Sequence, residues 1–286
     1  MKQPPRLLGA HVSTAGGMEA AVEKARRLGC TCMQIFAANP RGWQGEPVSP
    51  AQARAFRDAA PRAGIRQLVI HTIYLVNLAS PKPAVGKHSV QALRRDLVSA
   101  RRLGAQAVVV HTGSDLGQGR GFERLAARLR PLLPLVPEGC RLLLETAAGP
   151  SPTLGDFATL GRWCRRLGPR VGVCLDSAHL CAAGYDLASP PGYRRFLSDL
   201  QRHVGWRRVG CIHLNDSKFP CGSGRDQHEN LGEGRLGAAG LKRLLNEPAC
   251  RRLPVILETP GFDRQGPDRR NLRRLRAWAR MRGQEQ

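Results

Sequence analysis

Residues 171–186, VGVCLDSAHLCAAGYD, join an apolar run to a short helical stretch through an acidic residue. Positions 171–175 are apolar enough for a buried strand, yet the run ends on Asp176, and His179 follows three residues later. Ionisable side chains are rarely buried unless they are paired or bind a metal ion. The stretch therefore predicts a strand that delivers polar side chains to a site at its carboxyl end.

The same alternation of a short apolar run and a polar helical stretch recurs along the 286 residues. Eight runs fit buried strands, at residues 6–12, 32–37, 67–72, 107–113, 141–147, 171–177, 209–216 and 254–260. Helical stretches lie between them, at residues 17–29, 49–64, 89–104, 153–168 and 240–253. Eight strand–helix units predict an α/β protein, a (β/α)8 TIM barrel in one domain over residues 1–286. An open doubly wound sheet fits less well, because no glycine-rich phosphate loop follows the first strand.

Basic residues outnumber acidic ones by 45 to 22, which gives a formal net charge of +23, and only six of the basic residues are lysines. Such a charge favours a polyanionic partner, either a nucleic acid or an anionic membrane. No secretion signal or membrane-spanning stretch is evident, so we expect a cytoplasmic protein that does not enter the membrane. The nine scattered cysteines predict reduced thiols, mainly core residues such as Cys174 and Cys211. The arginine-rich residues 269–283 are interpreted as the outer face of a last helix.

In a TIM barrel the active site lies at the carboxyl ends of the strands, and here those ends and the loops after them carry histidines and carboxylates. Nine of them are candidate metal ligands: His71, His111, Glu145, Asp176, His179, His213, Asp226, His228 and Glu258. Imidazoles and carboxylates without thiolates indicate Zn²⁺, with Mn²⁺ or Fe as alternatives. A catalytic zinc takes about three protein ligands, so nine candidates predict two or three ions. Clustered ions and a basic chain predict a metal-dependent nuclease or phosphodiesterase that acts on nucleic acid.

Seven motifs resemble, in order and spacing, those of the endonuclease IV family of apurinic/apyrimidinic (AP) endonucleases. They are GAHVSTAGG at 9–17, HTIYLVNLAS at 71–80, LETAAG at 144–149, VCLDSAHLCAAGYD at 173–186, HLNDSK at 213–218, RDQHENLGEG at 225–234 and ILETP at 256–260. The resemblance implies a TIM barrel that holds three Zn²⁺ ions, with Mn²⁺ possible at one site. The implied ligand sets are His71, His111 and Glu145; Glu145, Asp176, His213 and Glu258; and His179, Asp226 and His228.

The resemblance also implies the reaction and the substrate. The family hydrolyses the phosphodiester 5′ to abasic sites in double-stranded DNA, which leaves 3′-hydroxyl and 5′-deoxyribose phosphate ends, and it removes groups that block 3′ ends. Glu145 and Glu258 are the implied catalytic residues. Arg41, Tyr74 and Leu75 match loop positions that contact DNA in the family, and the family's barrels work as monomers. Ordinary loop packing is the alternative interpretation of these three residues.

Departures from the family pattern occur at Thr146, at Ala178 and in HTGSD at 111–115, where Asp115 stands. None of these is a candidate ligand, so we expect metal binding to be retained and substrate preference to be affected. Asp176 and His179 are expected to bind different ions and not to form a local pair. His11 is interpreted as a supporting residue of the site.

Two other functions are compatible with parts of the sequence. A sugar isomerase or epimerase can use a similar barrel, but its site would have fewer metals and would not need so basic a chain. A basic nucleic-acid-binding protein with structural metals is harder to reconcile with ligands spread around an open barrel mouth.

Overall fold

A computed structural model describes residues 6–149 and 153–280 of the chain, and eight parallel strands within them close into a barrel. The barrel strands are β1 (Leu8–His11), β2 (Cys32–Phe36), β3 (Gln67–His71), β4 (Ala107–His111), β5 (Arg141–Glu145), β6 (Val171–Asp176), β7 (Val209–His213) and β10 (Val255–Leu257). Each strand pairs with the next along the chain, and β10 closes the barrel between β7 and β1. The predicted TIM barrel is confirmed, and each of the eight predicted runs contains one strand of the barrel.

Helices cover the outside of this barrel. They are α1 (Met18–Leu28), α2 (Pro50–Arg62), α3 (Pro83–Leu103), α4 (Gly121–Leu129), α5 (Phe157–Leu167), α6 (Ser177–Ala182), α7 (Pro190–His203), α8 (Gly237–Asn246) and α9 (Arg269–Arg280). No helix in the described ranges has the length and apolarity required to cross a bilayer. The segment predicted as a last helix ends beyond the description, because residues 281–286 lie outside it.

Local sequence explains where several helices begin and end. Ser49 accepts a hydrogen bond from the backbone N–H of Gln52 and caps α2, while Gly29 and Gly104 end α1 and α3 in the left-handed conformation. α3 begins six residues before the predicted stretch, because Pro83 suits the first turn of a helix. The predicted helix 240–253 is divided, since Pro248 starts a separate 3-10 turn after α8.

The seventh predicted run also divides, because only its first five residues form β7. Asp216–Ser217 forms a short strand, β8, that pairs antiparallel with β9 (His228–Glu229). The Asp216 carboxylate accepts hydrogen bonds from five backbone N–H groups, those of Ser217, Gly232, Gly234, Leu236 and Gly237. Asp216 therefore fixes the position of the loop after β9. Its carboxylate also gives hydrogen-bond partners to backbone N–H groups that would otherwise have none.

A ring of apolar and thiol side chains fills the barrel beneath its mouth. Its members include Cys32, Val69, Val109, Leu143, Cys174, Cys211 and Ile256, all buried. Alternate residues of a strand face the same side of the sheet. The inward-facing residues two positions later therefore form the floor of the mouth: Gln34, His71, His111, Glu145, Asp176, His213 and Glu258. Strand periodicity alone thus brings six of the nine candidate ligands to one layer of the barrel.

Candidate metal centre

Glu145 lies at the centre of the barrel mouth, with only 1% of its side chain exposed. Its Oε2 lies 3.2 Å from His71 Nε2 and 3.4 Å from His111 Nδ1, and its Oε1 lies 2.7 Å from His213 Nδ1. Ligand atoms of His71, His111 and Glu145 lie within 4.8 Å of one another. One carboxylate thus faces imidazoles from three different strands, which is the geometry of a shared ligand.

A second cluster forms between β6, β7 and β10. Glu145, Asp176, His213 and Glu258 present ligand atoms that lie within 4.8 Å of one another. Glu258 Oε2 lies 3.3 Å from His213 Nδ1, and Asp176 Oδ2 lies 3.9 Å from the same nitrogen. Three carboxylates this close repel one another unless positive charge lies between them.

The third cluster combines α6 with the loop after β7. His179 Nε2 lies 3.0 Å from Asp226 Oδ2, and His228 Nε2 lies 3.5 Å from Asp226 Oδ1. Asp176 Oδ2 lies 3.6 Å from His228 Nε2, so this carboxylate faces both the second and the third cluster. The nine candidate ligands predicted from sequence are therefore all brought to one continuous site.

The ring nitrogens that face away from the site are held by outer hydrogen bonds. The Nδ1 atoms of His71 and His179 lie 2.6 and 2.7 Å from the backbone oxygens of Thr72 and Thr146, and His228 Nδ1 lies 3.3 Å from that of Glu258. An N–H on each Nδ1 leaves the Nε2 lone pair directed at the site. Such outer partners set the tautomer and orientation of metal-binding histidines.

Gln34 is the outer hydrogen-bond partner that orients the His213 ring. The sequence prediction missed Gln34. Its Oε1 lies 2.8 Å from His213 Nε2, so that ring nitrogen donates to the amide, while Nδ1 faces Glu145 Oε1 at 2.7 Å. Its Nε2 donates to Glu258 Oε1 at 2.6 Å and lies 2.9 Å from His11 Nδ1. Gln34 therefore ties β1, β2, β7 and the end of β10 together beneath the site, and His11 has the supporting position that was expected.

Asn215 is a second residue that the prediction missed. Its Nδ2 donates to Asp176 Oδ2 at 2.7 Å, and its Oδ1 accepts from the backbone N–H of Glu258 at 2.8 Å. The side chain is fully buried, so both contacts are shielded from water. Asn215 thus fixes the spacing between two of the carboxylates in the second cluster.

Asp176 and His179 contact each other locally through a helix cap, and not through a pair formed by their two side chains. Asp176 Oδ1 accepts a hydrogen bond of 2.9 Å from the backbone N–H of His179 and caps α6. Helix N-termini favour a carboxylate at this position. The other oxygen, Oδ2, faces the site. Ligand atoms of Asp176, His179 and His228 lie within 4.8 Å of one another, so the same two residues form a cap and also contribute to the site.

Glu145 and His213 shift each other's pKa in opposite directions. Burial would raise the pKa of Glu145, but the imidazoles of His111 and His213 outweigh it and hold that pKa well below its usual range. Burial lowers the pKa of His213, but the carboxylates of Glu258 and Glu145 outweigh it and raise the pKa well above normal. Without an ion, protons on such imidazoles balance the charge. A metal ion must displace them, so metal affinity should rise with pH.

The residues present fit divalent metal ions. His228 Nε2 is buried and has no hydrogen-bond partner among the described residues, although two carboxylates lie 3.5 and 3.6 Å away. A buried ring nitrogen without a partner is costly in a folded protein. Imidazoles and carboxylates that converge without lysine or arginine form a donor set suited to zinc.

Candidate DNA-contacting residues lie on loops outside the ligand cluster. Tyr74 and Leu75, after β3, are 67% and 39% exposed, which is unusual for large apolar side chains. The Tyr74 ring lies 5.0 Å from that of Phe36 and 6.4 Å from that of His71, so it stands beside the site. Arg41 is exposed on the loop after β2, and Arg95 braces that loop by donating to the backbone oxygens of Trp43 and Gly45.

Comparison with known proteins places this site in a family. The model of the xylose isomerase-like TIM barrel family matches residues 22–281. The chain is 36% identical over 266 residues to the probable endonuclease 4 of Halothermothrix orenii, across 91% of this chain and 96% of the relative. It is 39% identical over 275 residues to the probable endonuclease 4 of Chloroflexus aurantiacus, across 94% and 96%.

Two solved structures have the same fold as this chain. Endonuclease IV from Thermus thermophilus superposes with a TM-score of 0.84 at 40% identity and covers 96% of this chain and 98% of that chain. A D-tagatose 3-epimerase-like protein reaches a TM-score of 0.67 at 19% identity, over 94% of each chain, which is a likeness of fold alone. The chain belongs to the endonuclease IV family of AP endonucleases.

Proposed function

We propose that the barrel mouth holds three divalent metal ions, with Zn²⁺ as the expected ion and Mn²⁺ as an alternative at one site. Nine imidazole and carboxylate side chains converge from β3 to β7, from α6, from β9 and the loop before it, and from the residue after β10. This convergence supports the proposal most strongly. The proposed ligand sets are His71, His111 and Glu145; Glu145, Asp176, His213 and Glu258; and His179, Asp226 and His228.

The proposed reaction is hydrolysis of the phosphodiester on the 5′ side of an abasic site in double-stranded DNA. It would leave a 3′-hydroxyl and a 5′-deoxyribose phosphate. The bound ions would supply charge neutralisation and lower the barrier to attack by water. Glu145 would be a ligand shared by two of the ions. Gln34 would orient His213 and Glu258 by hydrogen bonds, and Asn215 would orient Asp176 and Glu258.

DNA as the substrate accounts for the charge of the chain. A net charge of +23 attracts a polyanion at long range, and a small sugar substrate gives no reason for it. Exposed Arg41 on one loop beside the site, and Tyr74 and Leu75 on another, would contact the duplex and the gap opened at the lesion. Binding should weaken steeply as the salt concentration rises, because phosphate contacts release counterions.

Cleavage of a synthetic duplex tests this function. The duplex carries one tetrahydrofuran abasic analogue, which resists elimination, and its control is the same duplex without the lesion. We expect a single cut immediately 5′ to the lesion, with a 3′ end that a DNA polymerase extends without further treatment. Cleavage of both duplexes at equal rates, or a cut on the 3′ side, would refute the proposal.

A 3′-phosphodiesterase activity is proposed for the same site, because an end that is already blocked presents the same kind of bond. A duplex with a 3′-phosphoglycolate at a nick measures it directly. Release of the block should show the same dependence on metal as cleavage of the abasic duplex. Unblocking that persists after the metal has been removed would assign it to a different site.

The exposed Tyr74 ring provides a separate prediction about DNA binding. Removing it as Tyr74→Ala should weaken binding to the abasic duplex about tenfold, since stacking of an aromatic side chain on a base contributes roughly 1–3 kcal/mol. Fluorescence anisotropy with the labelled duplex measures this change. Tyr74→Phe retains the ring and serves as the matched control, with near-normal affinity. Equal affinity of wild type and Tyr74→Ala would show that the ring does not contact DNA.

A further inference from the structure

Two cysteines, Cys181 and Cys221, lie where α6 meets the loop 218–227. Cys181 is in α6, two residues after His179, and Cys221 is in the loop that leads to Asp226. All nine cysteines fall within the described residues, and Cys221 alone is exposed. The pair therefore lies where the helix and the loop that supply the third cluster of the site meet.

Backbone and side-chain contacts hold these two segments together. The backbone N–H of Gly222 donates to Cys181 O at 2.8 Å, and that of Gly224 donates to Ala182 O at 3.0 Å. Each of the Cys181 and Cys221 thiols also affects the pKa of the other, as expected for thiols that lie near each other. Gly222 adopts a φ of 78°, which glycine tolerates best, and this turn brings its neighbour Cys221 against α6. The backbone hydrogen bonds thus place the two cysteines side by side at this junction before any bond forms between them.

We propose that Cys181 and Cys221 are a reversible oxidation site, at which a hydroperoxide converts the thiol pair into a disulfide that locks the loop 218–227 onto α6. The exposed Cys221 sulfur attacks hydrogen peroxide and breaks the O–O bond, which gives a sulfenic acid and one water. The Cys181 sulfur then attacks the sulfenic sulfur and releases a second water. Two thiols lose two electrons and two protons, and the peroxide gains them. A dithiol reductant reverses the bond by exchange.

A second thiol pair provides an internal comparison. Cys174 and Cys211 are register partners on β6 and β7, and both are fully buried inside the barrel. A peroxide has no route to them, because the floor of the mouth covers them. Oxidation of a thiol requires access to the oxidant as well as formation of the thiolate. We therefore expect oxidation at Cys181–Cys221 and none at Cys174–Cys211.

The disulfide would also slow the loss of metal from the site. This effect rests on the proposed function, whereas formation of the disulfide does not. The bond would join α6, which carries His179, to the loop that carries Asp226 and precedes His228. The bond would prevent the loop from moving away from α6 and would so keep the proposed ligands of this cluster together. The oxidised protein should therefore lose one of its ions to a chelator more slowly than the reduced protein does.

Peptide mapping of the full chain tests the disulfide. The reduced protein is treated with hydrogen peroxide above neutral pH, since burial raises the pKa of the Cys221 thiol. It is then unfolded, alkylated and digested with trypsin. Cleavage leaves Cys221 alone in residues 219–225, while Cys174 and Cys181 share residues 171–194. We expect these peptides to be joined, lighter by two hydrogen atoms than the separate pair, with fragment ions that assign the bond to Cys181.

Two kinds of outcome separate formation of the disulfide from its effect on metal retention. Cys221→Ser removes the exposed thiol and should abolish the joined peptide without exposing Cys174 or Cys211 to alkylation in the folded protein. Recovery of Cys221 as a sulfinic acid with Cys181 still free would overturn the proposal. So would a bond between Cys174 and Cys211. Equal rates of metal loss from the oxidised and reduced proteins would refute the locking of the loop. The metal content of the reduced protein tests the proposed function separately.

Discussion

Glu145→Gln should lower the rate of abasic-site cleavage about a thousandfold or more. Glu145 faces His71, His111 and His213 and is the proposed ligand shared by two ions. An amide presents one neutral oxygen in place of a charged carboxylate, so both ions would be held less tightly. Charge stabilisation by a metal ion contributes several kcal/mol to phosphate-ester hydrolysis. Each increase of about 1.4 kcal/mol in the activation free energy lowers the rate tenfold.

Two measurements separate this effect from a loss of folding. Metal content after gel filtration should fall in Glu145→Gln, while circular dichroism should retain the barrel spectrum. Glu138→Gln is the matched control, because Glu138 is exposed and precedes β5 at the opposite end of the same strand. A folded Glu145→Gln protein with normal metal content and near-normal cleavage would contradict the assignment of Glu145.

Gln34→Leu should weaken metal binding about ten- to a hundredfold, the usual effect of removing an outer partner of a metal ligand. The leucine fills similar space but accepts no hydrogen bond from His213 Nε2 and donates none to Glu258 Oε1. His213 would then lose its preference for the tautomer with an unprotonated Nδ1. Competition with a chromogenic chelator measures the affinity, and nitrogen NMR of His213 reports the tautomer.

Gln91→Leu is the matched control for this substitution, because Gln91 is exposed on α3 and lies outside the site. The control should bind metal as the wild type does. If Gln34→Leu also retains full affinity and the His213 tautomer is unchanged, Gln34 supports the packing of the barrel and does not position the ligand.

The positions of most candidate ligands followed from the sequence because strand periodicity determines them. Leu143 and Glu145, or Cys211 and His213, are two residues apart and therefore face the same side of their strands. Gln34 was missed although it obeys the same rule. It is the one amide in the predicted run 32–37, and it follows Cys32 of the buried ring by two positions, as the ligands follow the other members of that ring. A polar residue inside an otherwise apolar strand was the signal that could have identified it.

Contacts that depend on loop conformation could not be predicted. Asp216 reads as another strand-end carboxylate, yet it binds the amides of a loop up to 21 residues away. Asn215 lies in the predicted run 209–216, and its contacts with Asp176 and Glu258 arise only when three strands meet. The contact between Cys181 and Cys221 likewise depends on how a ten-residue loop folds back, which no local propensity determines.

One departure from the family pattern has a structural explanation. Thr146 Oγ1 accepts a hydrogen bond from the backbone N–H of Asp176 at 3.0 Å, and Thr146 O accepts from His179 Nδ1. The residue therefore positions β6 and the start of α6. Ala178 is buried in α6 beside His179, and nothing in its surroundings explains the choice of alanine.

The number of metal ions per chain tests the trinuclear centre most directly. Metal-free protein is loaded with excess Zn²⁺, freed of loose ions by gel filtration, and analysed by plasma mass spectrometry against the protein concentration. We expect about three ions per chain, in line with nine ligands at about three per catalytic zinc. A reproducible value of one ion per chain would contradict the trinuclear centre.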